Sequence, residues 1–215
     1  MIDLYTFGTP NGQKVSILLE ELGIPYNVKK IDITKGDQKS PGYLKINPNG
    51  KIPALVDHDG SAQTVVFETI AMMIYLCEKH GQKHPHFLPA SGAARYKVLE
   101  WSLFQAAAVG PMLGQFGHFS VMAKEKIPYA IDRFRTEADR LFGVLDGKLA
   151  ESKHLAGHEY SMADMATWPW INGFIVFYKA DFGREKHPHL ARWFDEVGAR
   201  PAVQRGLRIP TKDQV

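Results

Sequence analysis

The strongest constraint in this chain is a change of hydrophobic period near residue 81. Before it, short β-forming runs alternate with helical ones; from Ala93 onward strand signals vanish and helical periodicity dominates. The pattern predicts a small α/β domain over 1–81 and an all-helical domain over 93–215. Between them, residues 82–92 carry Pro85, Pro89 and Gly92 with few apolar groups, the composition of a linker. A length of 215 residues suits such a pair and leaves enough core to fold without disulfide or metal.

Within the first half, residues 2–7 read as a buried strand followed by a turn over 8–12. Val15, Leu18, Leu19 and Leu22 then mark one face of a helix that Gly23 caps and Pro25 stops. Residues 26–33 read as a second strand, and Ser40-Pro41 opens a short helix. After the turn Asn47-Pro48-Asn49-Gly50, runs over 52–56 and 65–67 form a hairpin, and Glu68 opens a helix ended by Gly81. The order β-α-β-α-β-β-α implies a mixed sheet with helices packed on it. In the second half, one helix spans 93–108 and breaks at Gly110-Pro111. Another spans 128–149, with an apolar stripe through Ile131, Phe134, Ala138, Leu141, Phe142, Leu145 and Leu149. A third begins at Ser161, where Ser161-Met162-Ala163-Asp164 has the form of a capping box. The last covers 188–197 and stops at Gly198 and Pro201.

Composition excludes several classes of function. Twenty-six Lys and Arg against 23 Asp and Glu, without a basic run, argue against nucleic acid. The one cysteine, Cys77, rules out a disulfide framework, a CxxC redox pair and a cysteine-rich zinc site. Its apolar helical setting predicts a buried, inert thiol. The longest apolar stretch, 165–178, contains Pro169 and Asn172 and falls short of the ~20 residues that span a bilayer. The N-terminal residues lack a signal-peptide pattern, so a soluble cytoplasmic protein without membrane partners is expected. P-loop, G-x-G-x-x-G, H-E-x-x-H and G-x-S-x-G motifs are missing. The tripeptides His84-Pro85-His86 and His187-Pro188-His189 have no Cys or carboxylate at useful spacing, so surface loops and no metal are expected. The aromatic group Trp168, Trp170, Phe174, Phe177 and Tyr178 reads as core.

The segment Asn47-Pro48-Asn49-Gly50-Lys51-Ile52-Pro53, followed by Glu68-Thr69, is more informative. Pro53 stands where a strand should begin, which predicts a cis Ile52–Pro53 bond. Such a bend turns the Ile52 N–H and C=O outward to pair with an extended peptide. Glu68-Thr69 begins a helix whose N-terminus attracts a carboxylate, and Glu68 itself suits an ammonium group. A ligand with an amino-acid head, an extended middle and a second carboxylate near Lys51 fits these groups. A structural turn and an ordinary helix cap fit them as well.

These residues resemble the glutathione-binding signature of the cytosolic glutathione transferases. The resemblance extends to Ser161–Asp164, to His187–Trp193 and to Arg200–Val203 in the helical half, and so covers nearly the whole chain. Thr9-Pro10-Asn11-Gly12 and the segments 110–115 and 127–134 resemble the bacterial Nu class, whose members are described as glutathione-dependent disulfide-bond reductases. The resemblance implies a thioredoxin-like domain followed by the family's helical domain. It implies a homodimer that acts on small disulfides or electrophiles, with glutathione as cosubstrate. Glutathione would be bound by Asn11, Gln38, Lys51, Ile52, Glu68 and Thr69, with Arg133 reaching in from the partner subunit. On residues alone, Gln38 and Arg133 are ordinary surface groups, and Arg133 has an i, i+4 partner in Glu137. Other classes place Tyr, Ser or Cys beside the glutathione sulfur. Here Tyr5 lies within a strand and the loop offers Thr9 and Asn11, neither of them acidic. Disulfide reduction by the glutathione thiolate is therefore expected over conjugation, with non-catalytic glutathione binding as the further alternative.

Overall fold

The computed structural model describes residues 1–60 and 62–211. They form two compact units, Met1–Pro85 with the segment from residue 200 onward, and His86–Ala199. No helix of the described residues is long and apolar enough to cross a membrane.

The first unit is built on a four-stranded sheet of β1 (Ile2–Thr6), β2 (Tyr26–Lys30), β3 (Ala54–Asp57) and β4 (Thr64–Phe67), in the order β2-β1-β3-β4. β1 runs parallel to β2 and antiparallel to β3, and β4 is antiparallel to β3. A parallel pair needs a crossover, and α1 (Pro10–Leu22) supplies it. Val15, Leu18, Leu19 and Leu22 are buried as the periodicity predicts. The helix closes at Gly23, whose backbone is left-handed (φ 64°) and whose N–H donates to Leu19 O at 3.1 Å. β2 ends at Lys30, short of residue 33, because Asp32 starts a turn: its Oδ1 accepts from Thr34 N and Thr34 Oγ1. α2 (Pro41–Leu44) begins at Ser40, whose Oγ accepts from Tyr43 N. β3 starts at Ala54, two residues later than expected, after a cis Ile52–Pro53 bond, since Pro53 has no N–H to give a ladder. α3 (Thr69–His80) follows β4.

The chain returns to this unit at its far end, which the expected 93–215 boundary did not anticipate. α9 (Pro201–Gly206) packs on α1: Ser16 Oγ donates to Gly206 O at 2.8 Å, both buried. A Cβ at Gly206 would lie 2.7 Å from the Ile17 backbone, so this crossing requires glycine. Arg200 pairs with Glu21 through two bonds of 2.6 and 3.0 Å, and Arg205 with Glu20 at 2.6 Å. Pro201 therefore begins a helix where the sequence pattern suggests a stop. Residues 212–215 of the expected second domain lie outside the described residues.

The second unit contains α4 (Gly92–Phe104), α5 (Gly110–Gly117), α6 (Pro128–Glu151), α7 (Met162–Val176) and α8 (Pro188–Gly198). The expected break at Gly110-Pro111 does not occur. A wider π-helical turn over Gln105–Val109 joins α4 to α5, with helical backbone on both sides, and it admits Pro111 near the start of α5. Leu113, Ala138, Leu141, Phe142, Leu145, Phe174 and Trp193 are fully buried. Trp168 and Phe174 are core as expected, whereas Phe177 is 43% exposed.

The capping box at Ser161 has a second purpose. Buried Asp164 accepts from Ser161 N (2.9 Å), Leu155 N (3.0 Å) and Trp193 Nε1 (2.7 Å), tying α7 to the preceding loop and to α8. Asp164→Ala would strand three buried donors, each worth ~1–3 kcal/mol, and should destabilise the protein by about 3–5 kcal/mol in urea unfolding. A loss below about 1 kcal/mol would show that Asp164 is not a hub.

Candidate functional site

Three breaks in secondary structure come together at one end of the sheet. The register pairs Tyr5 with Ala54 and Ala54 with Phe67. The loop after β1, the Ile52–Pro53 bend before β3 and Glu68 after β4 therefore emerge side by side.

The first break is the Thr9 turn. Thr9 caps α1, and its Oγ1 accepts from Gly12 N at 3.3 Å. With its lone pair turned toward the helix, the hydroxyl keeps its own proton to donate outward. A Cβ at Gly12 would overlap Phe7 O and Thr6 Oγ1, so only glycine lets the first turn of α1 sit against the end of β1. Asn11 is half-buried within that first turn, the second residue of the helix rather than part of the turn before it. Tyr5 packs its ring against Tyr43 at 6.1 Å, and burial, with the Asp3 charge, pushes its phenol up. It is a packing residue and a poorer acid than free tyrosine.

The second break is shaped by Asn47, which is buried. Its Oδ1 accepts from Asn49 N at 3.0 Å, while its Nδ2 and the Tyr43 hydroxyl each donate to Lys51 O at 2.7 Å. Both donors fix the peptide that leads into Ile52. No hydrogen bond engages the Ile52 backbone among the described residues, so its N–H and C=O remain available. Lys51 is exposed. Gln38 is brought against this turn: its carbonyl lies 3.1 Å from where a Cβ on Gly50 would stand, and Gly50 has a left-handed φ of 62°. The Gln38 Oε1 is buried without a hydrogen-bond partner.

At the third break, Glu68 adopts φ 69°, ψ 117°, a conformation that side chains rarely hold. The residue opens α3 with no side-chain cap of its own, and its carbonyl already accepts from Met72 N. The amides of the first turn of α3 are left to face an anion. Lys14 Nζ donates to Thr69 Oγ1 at 3.3 Å from the buried side of α1. Sequence reasoning missed this lysine. Its only signal is a cation at a position where every residue of α1 from 12 to 19 is buried.

Arg133 lies on α6 in the helical unit, exposed, beside a cleft of about 600 Å³ that Met112, Tyr129 and Phe134 also line. Glu137 makes its hydrogen-bonded pair with Arg140, through two bonds of 2.8 Å, and feels Arg133 only through charge at longer range. Cys77 is buried in α3, away from the helix N-terminus that carries Glu68 and Thr69. No group of three His, Cys, Asp or Glu side chains among the described residues is placed to hold a metal.

What the arrangement offers is two helix N-termini, a free peptide edge between them and a carboxylate at Glu68. That suits a peptide-like ligand with a carboxylate head and a group of developing negative charge near Thr9. The glutathione S-transferase N-terminal domain family matches residues 9–79, and the glutathione S-transferase C-terminal domain family matches 109–201. Disulfide-bond oxidoreductase YghU of Escherichia coli (strain K12) is 47% identical over 95% of this chain and 73% of its own. Disulfide-bond oxidoreductase YfcG of the same strain is 41% identical, over 96% and 94%. The crystal structure of a glutathione transferase family member from Pseudomonas fluorescens pf-5, with two glutathione bound, superposes with a TM-score of 0.91 at 42% identity, covering 96% of this chain and 92% of that one.

A backbone strained by ~1–3 kcal/mol at Glu68 makes a test that needs no ligand. Glu68→Gly should raise thermal stability by about 0.5–1 kcal/mol, after the loss to glycine's unfolded-state entropy. A variant less stable than the parent would show that the Glu68 side chain, and not strain, dominates there.

Proposed function

The chain belongs to the glutathione transferase family, and we propose that it is a glutathione-dependent disulfide-bond reductase that uses the thiolate of bound glutathione in place of a protein cysteine. The observation that carries this reading is the Thr9 turn. It offers non-acidic hydrogen-bond donors at the N-terminus of α1, while Cys77 is buried and the Tyr5 phenol is packed and pushed up.

In this reading the γ-glutamyl carboxylate takes the Thr69 hydroxyl and the α3 amides, and its ammonium faces Glu68. The cysteinyl backbone pairs with Ile52, and the glycyl end meets Lys51 and Gln38, whose buried Oε1 accepts a ligand N–H. The sulfur then faces Thr9 and Asn11. A free thiol near pKa ~8.5 is a few per cent ionised at neutral pH, and lowering it by two units takes about 2.7 kcal/mol. One hydrogen bond to charged sulfur supplies ~1.5–3 kcal/mol and the α1 dipole ~0.3–1 kcal/mol, enough without tyrosine.

The thiolate attacks one sulfur of a small disulfide. A mixed disulfide forms, and the leaving thiolate takes a proton from solvent. A second glutathione thiolate attacks the glutathione sulfur of that mixed disulfide, releasing the second thiol and oxidised glutathione. Two glutathiones are oxidised, one disulfide is reduced and the protein is unchanged. Such a reaction suits the cytoplasm, where glutathione is kept reduced. A homodimer is supported by the edge strand β4, which leaves Val65 and Phe67 exposed, and by exposed Arg133, whose neighbour Glu137 makes its close ion pair with Arg140 instead. In the dimer Arg133 serves a glutathione carboxylate of the partner's site.

Steady-state assays separate the alternatives. Reduction of 2-hydroxyethyl disulfide by glutathione should be clear and should persist in Cys77→Ser, with weak conjugation of 1-chloro-2,4-dinitrobenzene. Loss of the disulfide reaction in folded Cys77→Ser would refute a glutathione-only mechanism. Strong conjugation without disulfide turnover would make this an ordinary transferase, and glutathione binding with no rate would make it a binding protein. Asn11→Ala should lower turnover about tenfold, ~1.4 kcal/mol, with little change in glutathione affinity. Unchanged turnover removes Asn11 and leaves Thr9.

A further inference from the structure

Lys14 is a cation in a place that does not suit one. It sits on α1 at 2% exposure, and its ammonium has three donors to satisfy but, among the described residues, one hydrogen-bond acceptor, Thr69 Oγ1 at 3.3 Å. α1 brings it to the N-terminal turn of α3, where the helix dipole is positive and also disfavours a neighbouring cation. Structural needs do not call for a lysine there, since an apolar side chain of its length would fill the space without desolvating a charge.

We propose that Lys14 is a positioning residue of the glutathione site, whose amine takes up a proton when a carboxylate occupies the N-terminus of α3 and then holds Thr69 and that carboxylate in place. The proposal rests on the glutathione reading above. Burial pushes the amine down to about 7, with the Glu68 carboxylate opposing the shift. Near neutral pH the free protein therefore holds the amine partly uncharged. A ligand carboxylate adds a second negative charge beside Glu68 and favours the ammonium form.

The other charges on α1 and on the helices packed against it are committed elsewhere. On α1, Glu20 and Glu21 are held by Arg205 and Arg200, the basic residues α9 turns toward that helix. At the far end of α3, Lys79 pairs with Asp57 and Asp59, and His80 lies beside Asp57. Glu68 remains as the ionised group acting on Lys14 in the free protein, and the bound carboxylate joins it.

Linkage sets the sign. Ligand binding that takes up a proton weakens as pH rises above the free-state value, by up to tenfold per pH unit. S-Methylglutathione is the probe, because it has no thiol to titrate. Its dissociation constant, measured by calorimetry on the full-length protein, should rise about tenfold between pH 6.5 and 8.5. Heats in two buffers of different ionisation enthalpy at pH 8 should show uptake of a large fraction of one proton. In Lys14→Met both the pH dependence and the uptake should vanish. Lys14→Arg, always charged, should bind without uptake at every pH, and it serves if the methionine variant does not fold. Absence of uptake in the parent protein overturns the proposal, as does uptake that persists in either variant. Failure of S-methylglutathione to bind at any pH overturns the glutathione reading and the proposal with it, whereas binding without uptake overturns only the role of Lys14.

Discussion

The register of β3 between β1 and β4 is the constraint on which the rest of the site depends. Pairing Tyr5 with Ala54 and Ala54 with Phe67 aligns three chain breaks that are far apart in sequence. A slip of one residue would turn buried Leu55 and Val56 to the opposite faces and carry Ile52 away from both helix N-termini. The cis Ile52–Pro53 bond and the Asn47 side chain fix where that strand begins, and buried Leu4 fixes the central strand it pairs with. The site is thus a consequence of strand alignment, and its functional groups are mostly backbone.

This explains which parts were legible in the sequence. The order of strands and helices followed from periods of 2 and 3.6, and the Asn47–Pro53 bend followed from proline's missing N–H. Asp164 was recognisable because a capping box is local, four residues in a row. Contacts between distant segments left no such trace. The α9 return depends on Ser16 meeting Gly206, 190 positions away, and on two arginines matched to Glu20 and Glu21. Pro201 alone reads equally as a stop or a first helical turn. The π-helical turn at Gln105–Val109 likewise hid behind Gly110-Pro111, a pair that usually ends a helix.

Candidate site residues divide in the same way. Thr9, Ile52, Glu68 and Thr69 are found at element boundaries, where caps and turns leave sequence signatures. Lys14 is not at a boundary, and a lysine one turn into a helix is ordinarily solvated. Only the packing around α1 makes its burial visible. For Arg133, nearby Glu137 offered a local explanation that Arg140 turned out to occupy. The assignment of Arg133 to the site rests on family resemblance and not on local pattern.

Chemically, the proposed mechanism makes the protein a holder of someone else's sulfur. In that mechanism Thr9 and Asn11 act on a thiolate they do not form, and the α1 dipole favours the charged state over the neutral one. The most direct test is to titrate the thiol of bound glutathione by the thiolate absorbance near 240 nm. A midpoint near pH ~6.5, about two units below free glutathione, is the result predicted by a sulfur held at the Thr9 turn. A midpoint near ~8.5 in a saturated complex would contradict it, because the protein would then bind glutathione without activating it.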